Sequence, residues 1–490
     1  MKKRQKKRAS MKFKFFARLL WILALAITIF FGYELYKLDM LPLNYYLMIT
    51  GGMFLLMFIL GFIALRKHAG RMSLIFVSFI SIIYILVFGF GSLKIKDTVN
   101  FMENNLGIKF ETNVYYVLIN SDSDYKELTD IKGETVYSFK DQDDMSLVEK
   151  GLTKKVKVDI EYEESIYDLL KNITTDNELI IYVNSGNYDA MVQNNEEYSK
   201  KVKILGTIEV KTKKEIEESG LDITEDPFVI LINGIDTRSD YLPSRSLSDV
   251  NMLMAVNPNT HEILLLSIPR DYYLTVPGTG AKDKLTHTGV IGGVETTKAT
   301  LEETFGKKIN YYVRVNFNFV VNLVDAVGGI DINNDQSYGF SCWTDGGCYF
   351  EPGMNYSVGG RCALAFARER YAYDSGDRHR ALNQQQVLEN LFNKITSSKT
   401  LISSYSDILN SLNGTFETSL SNDDISKLVK MQIKDMSSWT LYKYSVDGSG
   451  TSAYTYSYPN QELYVMIPDD ATIAEAIKKL DIVLGTESDE

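Results

Sequence analysis

Between Ala365 and Gln386 the chain reads AFARERYAYDSGDRHRALNQQQ, which holds four arginines, two aspartates and a run of amides. If the first half is extended, Arg368 and Arg370 are two apart and share a face. If the second half opens a helix, Arg380 and Gln384 are four apart and share a face, while Arg378 turns elsewhere. Guanidinium forks on a fixed backbone bind phosphate or pyrophosphate. The same residues also make a surface salt-bridge face, with Glu369, Asp374 and Asp377 as partners. Local composition does not choose between the two.

Other segments carry chemistry of the same kind. Asp236 follows a strand-like run, Phe228–Ile232, and Asp249 precedes another, Met252–Val256. Carboxylates at strand ends of an α/β sheet lie where ligands bind. One or two of them, with phosphate oxygens, suit Mg²⁺; equally, each aspartate caps a turn. A third strand, Ile263–Ile268, ends in Arg270-Asp271, and Lys282–His287 is a polar loop entering a helix. Lys284 in that loop is either a further phosphate contact or a solvated lysine. Phe317, Val320, Val321 and Val324 fit a helix stopped by Gly328-Gly329, either core or the wall of an apolar pocket. His68, His261, His287 and His379 show no zinc spacing, and there is no Gly-x-Ser-x-Gly elbow or Walker loop.

The elements that must position these residues follow from the rest of the 490-residue chain, long enough for a membrane segment and two or three domains of roughly 100–200 residues. Residues 1–18 form a basic tail. Three apolar stretches follow within 19–91 (Leu19–Tyr36, Leu47–Leu65 and Met72–Gly91), each near the roughly 20 residues that cross a bilayer. A cleaved signal peptide accounts for one such stretch but not for three. The basic tail and the Arg66–Arg71 loop are expected in the cytoplasm and the nearly neutral Lys37–Tyr46 outside. Everything after Ser92 then lies on the outer face of the cell membrane. Residues 1–91 hold 13 Lys/Arg against Glu34 and Asp39, a net of +11; with −11 overall, the remainder carries −22. So acidic a remainder excludes general nucleic-acid binding.

The fold expected is α/β throughout: N-terminal transmembrane helices, a small α/β accessory domain at 92–210 with a largely parallel sheet, and a charged linker at 211–225. A larger α/β domain at 226–485 follows, with a central mixed sheet flanked by helices that includes Asp423–Lys434 and Ala471–Leu484; residues 486–490 are a tail. Three cysteines are too few for a disulfide scaffold. Cys342 and Cys348 flank a turn-rich pentapeptide and are expected to bridge outside a reducing cytosol. Cys362, in an apolar run, reads as a buried small hydrophobe.

Gly-Ile-Asp at 234–236, Ser-Asp-Val-Asn at 248–251, Ile-Pro-Arg-Asp at 268–271, Asp-Lys-Leu-Thr-His at 283–287, Val-Gly-Gly-Ile-Asp at 327–331, Ala-Arg-Glu-Arg-Tyr at 367–371 and the Asp377–Gln386 run stand in the order of the LytR–CpsA–Psr family. The resemblance covers about Phe228 to Val387, and the layout is similar to the capsule-associated branch. It implies a phosphotransferase that moves an anionic glycopolymer, capsular or teichoic-acid-like, from a polyprenyl-pyrophosphate carrier to peptidoglycan as a phosphodiester. By position, Asp236 and Asp249 match Mg²⁺-associated aspartates, and Arg270, Arg368, Arg370, Arg380 and Gln384 match residues on the pyrophosphate head. The family's arginine two before the second aspartate is Leu247 here, so Arg245 is the substitute to examine. Phosphoryl transfer rests on positioning and charge neutralisation, which gives Arg270 and Arg380 catalytic parts, with Asp377, Asp374 or Asp271 as base. A lipid-pyrophosphate sensor and a pyrophosphate hydrolase are the alternatives, and capsule or cell-wall assembly proteins are conceivable partners.

Overall fold

The computed structural model describes residues 10–105, 110–140, 145–213, 219–235, 237, 242–342, 347–397, 408 and 414–486. They form two compact units.

The first unit is built on α1 (Met11–Leu38), α2 (Leu43–Leu65) and α3 (Arg71–Asn105). Each is long and apolar enough to cross a membrane. Phe58, Phe79 and Leu86 project outward, the reverse of a water-soluble bundle. Inside, some polar groups find partners: Trp21 Nε1 donates to Met57 O at 2.8 Å and the Thr28 hydroxyl to Tyr84 Oη at 3.0 Å. The helix Asn422–Asp435 belongs to this unit and not to the sheet domain it was expected to complete; its Lys430 Nζ lies 2.7 Å from Asp39 Oδ2.

The second unit holds two sheet domains. In the smaller one, β1 (Phe110–Asn120), β2 (Thr135–Phe139), β3 (Asp159–Glu163), β4 (Ile180–Asn184) and β5 (Val202–Lys213) stand in the order β3-β2-β4-β1-β5. Helices α4 (Met145–Lys155), α5 (Ile166–Asn172), α6 (Ser185–Asn194) and α7 (Tyr198–Lys201) connect them. The sheet is mixed, against the largely parallel expectation: β2 runs parallel to β3 and β4, but β1 is antiparallel to β4 and β5. The reason is β5, which pairs with all of β1 and ends at Lys213, inside the stretch read as linker. Alternating β1 side chains serve two cores, Val117 and Ile119 on one face and Leu118 on the other, as a period of two requires.

The larger domain is organised on β6 (Phe228–Gly234), β7 (Val250–Asn257) and β8 (Glu262–Ile268), three strands buried along most of their length. The hairpin β9 (Tyr273–Val276) and β10 (Ala281–Lys284) leads into α8 (Leu285–Phe305). Then come β11 (Tyr311–Val315), α9 (Phe317–Ala326), β12 (Ile330–Asn334), β13 (Phe340–Cys342), β14 (Cys348–Phe350), β15 (Gly353–Val358), α10 (Gly360–Arg368) and α11 (Asp377–Thr396). The chain closes with β16 (Phe416–Thr418), β17 (Thr440–Ser445), the hairpin β18 (Gly448–Tyr454) and β19 (Glu462–Pro468), and the helix Asp470–Leu484. The central sheet order is β16-β11-β6-β7-β8-β17. Two pairs are parallel, β6–β11 and β8–β17, and the rest antiparallel, so the sheet is mixed as expected. Glycines 328 and 329, at φ 80° and 87°, end the α9 segment, a left-handed backbone that suits glycine.

The cysteines pair differently from the expectation. Cys348 is bonded to Cys362, with Cα atoms 5.5 Å apart, and Cys342 is a buried free thiol. Cys342 and Cys348 are cross-strand neighbours in β13–β14, yet the bridge ties that hairpin to the first turn of α10 instead. Burial and the neighbouring Glu369 carboxylate raise the Cys342 pKa and keep it a thiol.

Candidate functional site

Sheet geometry delivers the first group of residues. Asp249 stands immediately before β7, its N–H donating to Gly234 O at 2.9 Å. Arg270 follows β8 across Pro269, and its carbonyl accepts from Thr286 N at 2.8 Å. The first bond ties Asp249 to the end of β6, and the second ties Arg270 to the start of α8. Arg270 Nη1 lies 2.7 Å from Asp249 Oδ1, and Thr286 Oγ1 donates to the same oxygen at 3.4 Å. Lys284 Nζ is 2.5 Å from Asp271 Oδ1.

The second group arrives on α11. Gln385 Nε2 donates to Leu265 O at 3.1 Å and Tyr444 O at 2.7 Å, which locks this helix onto β8 and β17. The opposite face presents Arg380 and Gln384, the i, i+4 pair foreseen from the sequence, to a cavity of about 290 Å³. Asp249, Arg270, Asp271, Asp377 and Arg378 also line it, with Asp447, Tyr464 and Met466. Asp377 opens α11 and remains half-exposed, 3.6 Å from Arg380 Nη1 and 3.8 Å from Arg370 Nη1. Arg378 was expected to face elsewhere. It sits in the first turn of α11 at the cavity rim, where Nε is 2.8 Å from Asp447 Oδ1.

The Ala365–Tyr371 half is not extended. It is the end of α10, so Arg368 and Arg370 do not share a strand face. Buried Glu369 accepts from the N–H groups of Arg370, Tyr371 and Ala372 with one carboxylate oxygen and folds the following turn around itself. Arg368 lies over the Phe317 ring at 4.2 Å and Arg370 over Tyr371 at 4.7 Å, typical cation–π distances. Arg368 lines a second, mostly apolar recess of about 90 Å³ with Phe317, Val320, Leu364 and Val387. Asp249, Val250 and Gln384 line both spaces, so a charged cavity and an apolar recess meet at these three residues.

The two central arginines differ electrostatically. Burial works against the charge of Arg270, but Asp249 and Asp271 outweigh it and raise its pKa. Arg380 is pulled below its ordinary value by burial, with the like charges of Arg270 and Arg370 adding to the effect and Asp377 opposing it. Arg380 stays protonated and lies beside a second guanidinium, that of Arg270, across the cavity.

For Mg²⁺, Asp249 fits: its Oδ2 is buried with no hydrogen-bond partner. Among the described residues no group of three His, Cys, Asp or Glu converges. Asp236 lies outside the described residues. Arg245, the expected substitute for the arginine missing at Leu247, does not line this cavity. Its Nη1 donates to Val290 O and Ile291 O, and Leu247 is buried against Ala190 and Val290.

Sequence reasoning missed Gln193 of α6, which donates to Asp249 Oδ1 at 3.3 Å, and Asp447, Tyr464 and Met466. The chain around these four carries no local pattern; only the docking of the smaller domain and of the β18–β19 hairpin puts them here.

A model of the LytR_cpsA_psr family matches residues 180–470. The chain belongs to this family. The LytR–CpsA–Psr match spans the cavity and both its arginine-bearing helices. A polyisoprenyl-teichoic acid–peptidoglycan teichoic acid transferase TagU of Bacillus mycoides is 34% identical over 237 residues, 48% of this chain and 75% of that protein. The TagU of Enterococcus faecalis is 33% identical over 209 residues, 42% of this chain and 65% of that one. Among solved structures, protein gbs0355 from Streptococcus agalactiae aligns with a TM-score of 0.46 at 25% identity, covering 53% of this chain and 88% of that one. TagT bound to LIIa-WTA aligns at 0.44 and 26%, covering 55% and 95%. Both scores lie below 0.5, and membership of the LytR–CpsA–Psr family rests on the sequence matches.

Proposed function

We propose that this protein is a membrane-anchored phosphotransferase that moves an anionic glycopolymer from a polyprenyl-pyrophosphate carrier to peptidoglycan. The observation that carries this reading is the junction at Asp249 and Gln384. There a cavity lined by Arg270, Arg378 and Arg380 and by four aspartates meets an apolar recess suited to the first part of a lipid tail. The family and the names of its relatives point to the same chemistry.

In this reading an acceptor hydroxyl of peptidoglycan attacks the glycan-side phosphorus. A new P–O bond forms, the pyrophosphate P–O bond breaks, and polyprenyl phosphate leaves. Arg270 and Arg380 hold the oxygens on which charge develops, a role for which preorganised donors are effective. Arg368, Arg370 and Gln384 orient the carrier. Asp377 is the best-placed base: Asp271 is already paired with Lys284 at 2.5 Å and Arg270 at 3.8 Å, and Asp374 does not line the cavity. The hydroxyl proton passes to Asp377. Mg²⁺, held through Asp249 and, in the family pattern, Asp236, would neutralise phosphate charge when bound. The three N-terminal helices anchor the chain, with the basic tail cytoplasmic and the sheet domains on the outer face.

The test supplies the full chain in lipid nanodiscs with lipid-pyrophosphate-linked glycan, Mg²⁺ and peptidoglycan oligomers. Covalent glycan–peptidoglycan product is expected. Bound lipid without product identifies a sensor, and free glycan phosphate a hydrolase.

A further inference from the structure

A separate cavity of about 320 Å³ lies between the smaller sheet domain and the larger one. The smaller domain contributes Glu164, Tyr167 and Asn187; the larger contributes His287, Tyr456 and Tyr458. His287 is 1% exposed, and its Nδ1 is 2.6 Å from Asp283 Oδ1. That oxygen also accepts from Lys284 N at 2.7 Å, and Oδ2 accepts from Ser457 N at 2.8 Å. A carboxylate so placed holds the imidazole proton on Nδ1, which leaves Nε2 as an acceptor. Nε2 is buried and has no hydrogen-bond partner. Such an orphan costs roughly 1–3 kcal/mol and calls for a donor from outside the chain.

The surroundings define the donor. Tyr458 packs beside His287 at 5.4 Å and edge-on to Tyr167 at 5.8 Å, and Tyr456 is 50% exposed. Arg245 also lines the space but donates to the Val290 and Ile291 carbonyls, and Glu164 adds negative charge. Aromatic faces, an amide, a carboxylate and an unpartnered imidazole nitrogen suit a hydroxyl-rich uncharged ring and disfavour a phosphate. The segment Asp283–His287 divides the two cavities: Lys284 and Thr286 reach Asp271 and Asp249 on one side, while His287 lines the other.

We propose that this interdomain cavity is a saccharide subsite in which a pyranose hydroxyl, on displacing the Tyr458 ring, donates to His287 Nε2. The proposal rests on the glycan-transfer reading and gives the smaller domain a part in it. The ring can come from the acceptor strand or from the carried polymer.

The experiment is saturation-transfer NMR on the full chain in nanodiscs with two probes: a GlcNAc–MurNAc disaccharide from peptidoglycan, and glycan released by mild acid from the cells' carrier lipid. One probe should bind, and which one names the source. His287→Phe should weaken binding roughly fivefold, the loss of one net hydrogen bond. Should that variant fail to fold, Asn187→Ala at the half-buried lip should weaken it comparably. No binding of either probe, or equal binding in wild type and Asn187→Ala, overturns the subsite. Transfer activity is measured on the same samples: intact transfer without saccharide binding sinks this inference alone, whereas absent transfer sinks the functional reading.

Discussion

Arg314 and Arg380 belong to the same domain and are both largely buried, yet they do opposite things. Arg314, 2% exposed on β11, puts Nη1 2.7 Å from Glu417 Oε2 and donates from Nη2 to Pro243 O at 2.6 Å and Ser246 Oγ at 3.2 Å. It pins β11, β16 and the loop leading to Asp249 together. Among the described residues Arg380 pairs with Asp377 alone, at 3.6 Å, and it faces another arginine across an open cavity. A buried guanidinium paired with a carboxylate and two further acceptors of its own chain is structural. One held against like charge, with room in front of it, is built for an anion that arrives from outside.

The contrast is open to test. The largest effect is expected for Arg314→Ala, which strands Glu417 and should destabilise the domain by about 3–5 kcal/mol, read as a lower Tm, with activity lost only through unfolding. Arg380→Ala should lower transfer by roughly 10²–10³-fold, the usual loss for one oxyanion donor, with Tm nearly unchanged. If Arg380→Ala unfolds the domain, or Arg314→Ala leaves Tm intact, the distinction fails. Reduction of Cys348–Cys362, 14 residues apart, should cost about 3 kcal/mol by loop-closure entropy. Alkylation of the denatured, unreduced chain should modify Cys342 alone, read by mass.

The smallest effect concerns a buried pair of the structural type. Burial alone would raise Asp283, but hydrogen bonds from His287 and Ser457 hold it below its ordinary 3.8. A depressed folded value means the stabilisation is present above the unfolded value and is lost as pH falls through the folded one. Stability of the wild type should therefore decline below about pH 4, and Asp283→Asn should lower Tm at neutral pH while flattening that acid decline. An unchanged acid slope in Asp283→Asn would remove this residue from the account.

Sequence alone determined what local chemistry can determine. The apolar lengths of α1–α3, the buried runs of β6–β8, the glycine stop after α9 and the Arg380–Gln384 spacing are all periodic or terminal signals, and the ordered motifs identified the family. Those signals fix an element and its faces because they act within a few residues. Tertiary structure decided the rest. Cys348 chose Cys362 over its cross-strand neighbour, Arg368 ended a helix and stacked on Phe317, and Arg245 turned to backbone carbonyls. The arginine stretch itself was two readings in the sequence. Placement separated them: α11 presents Arg380 and Gln384 to an open cavity, and whether a guanidinium faces a cavity or a partner depends on groups that lie far apart in the chain.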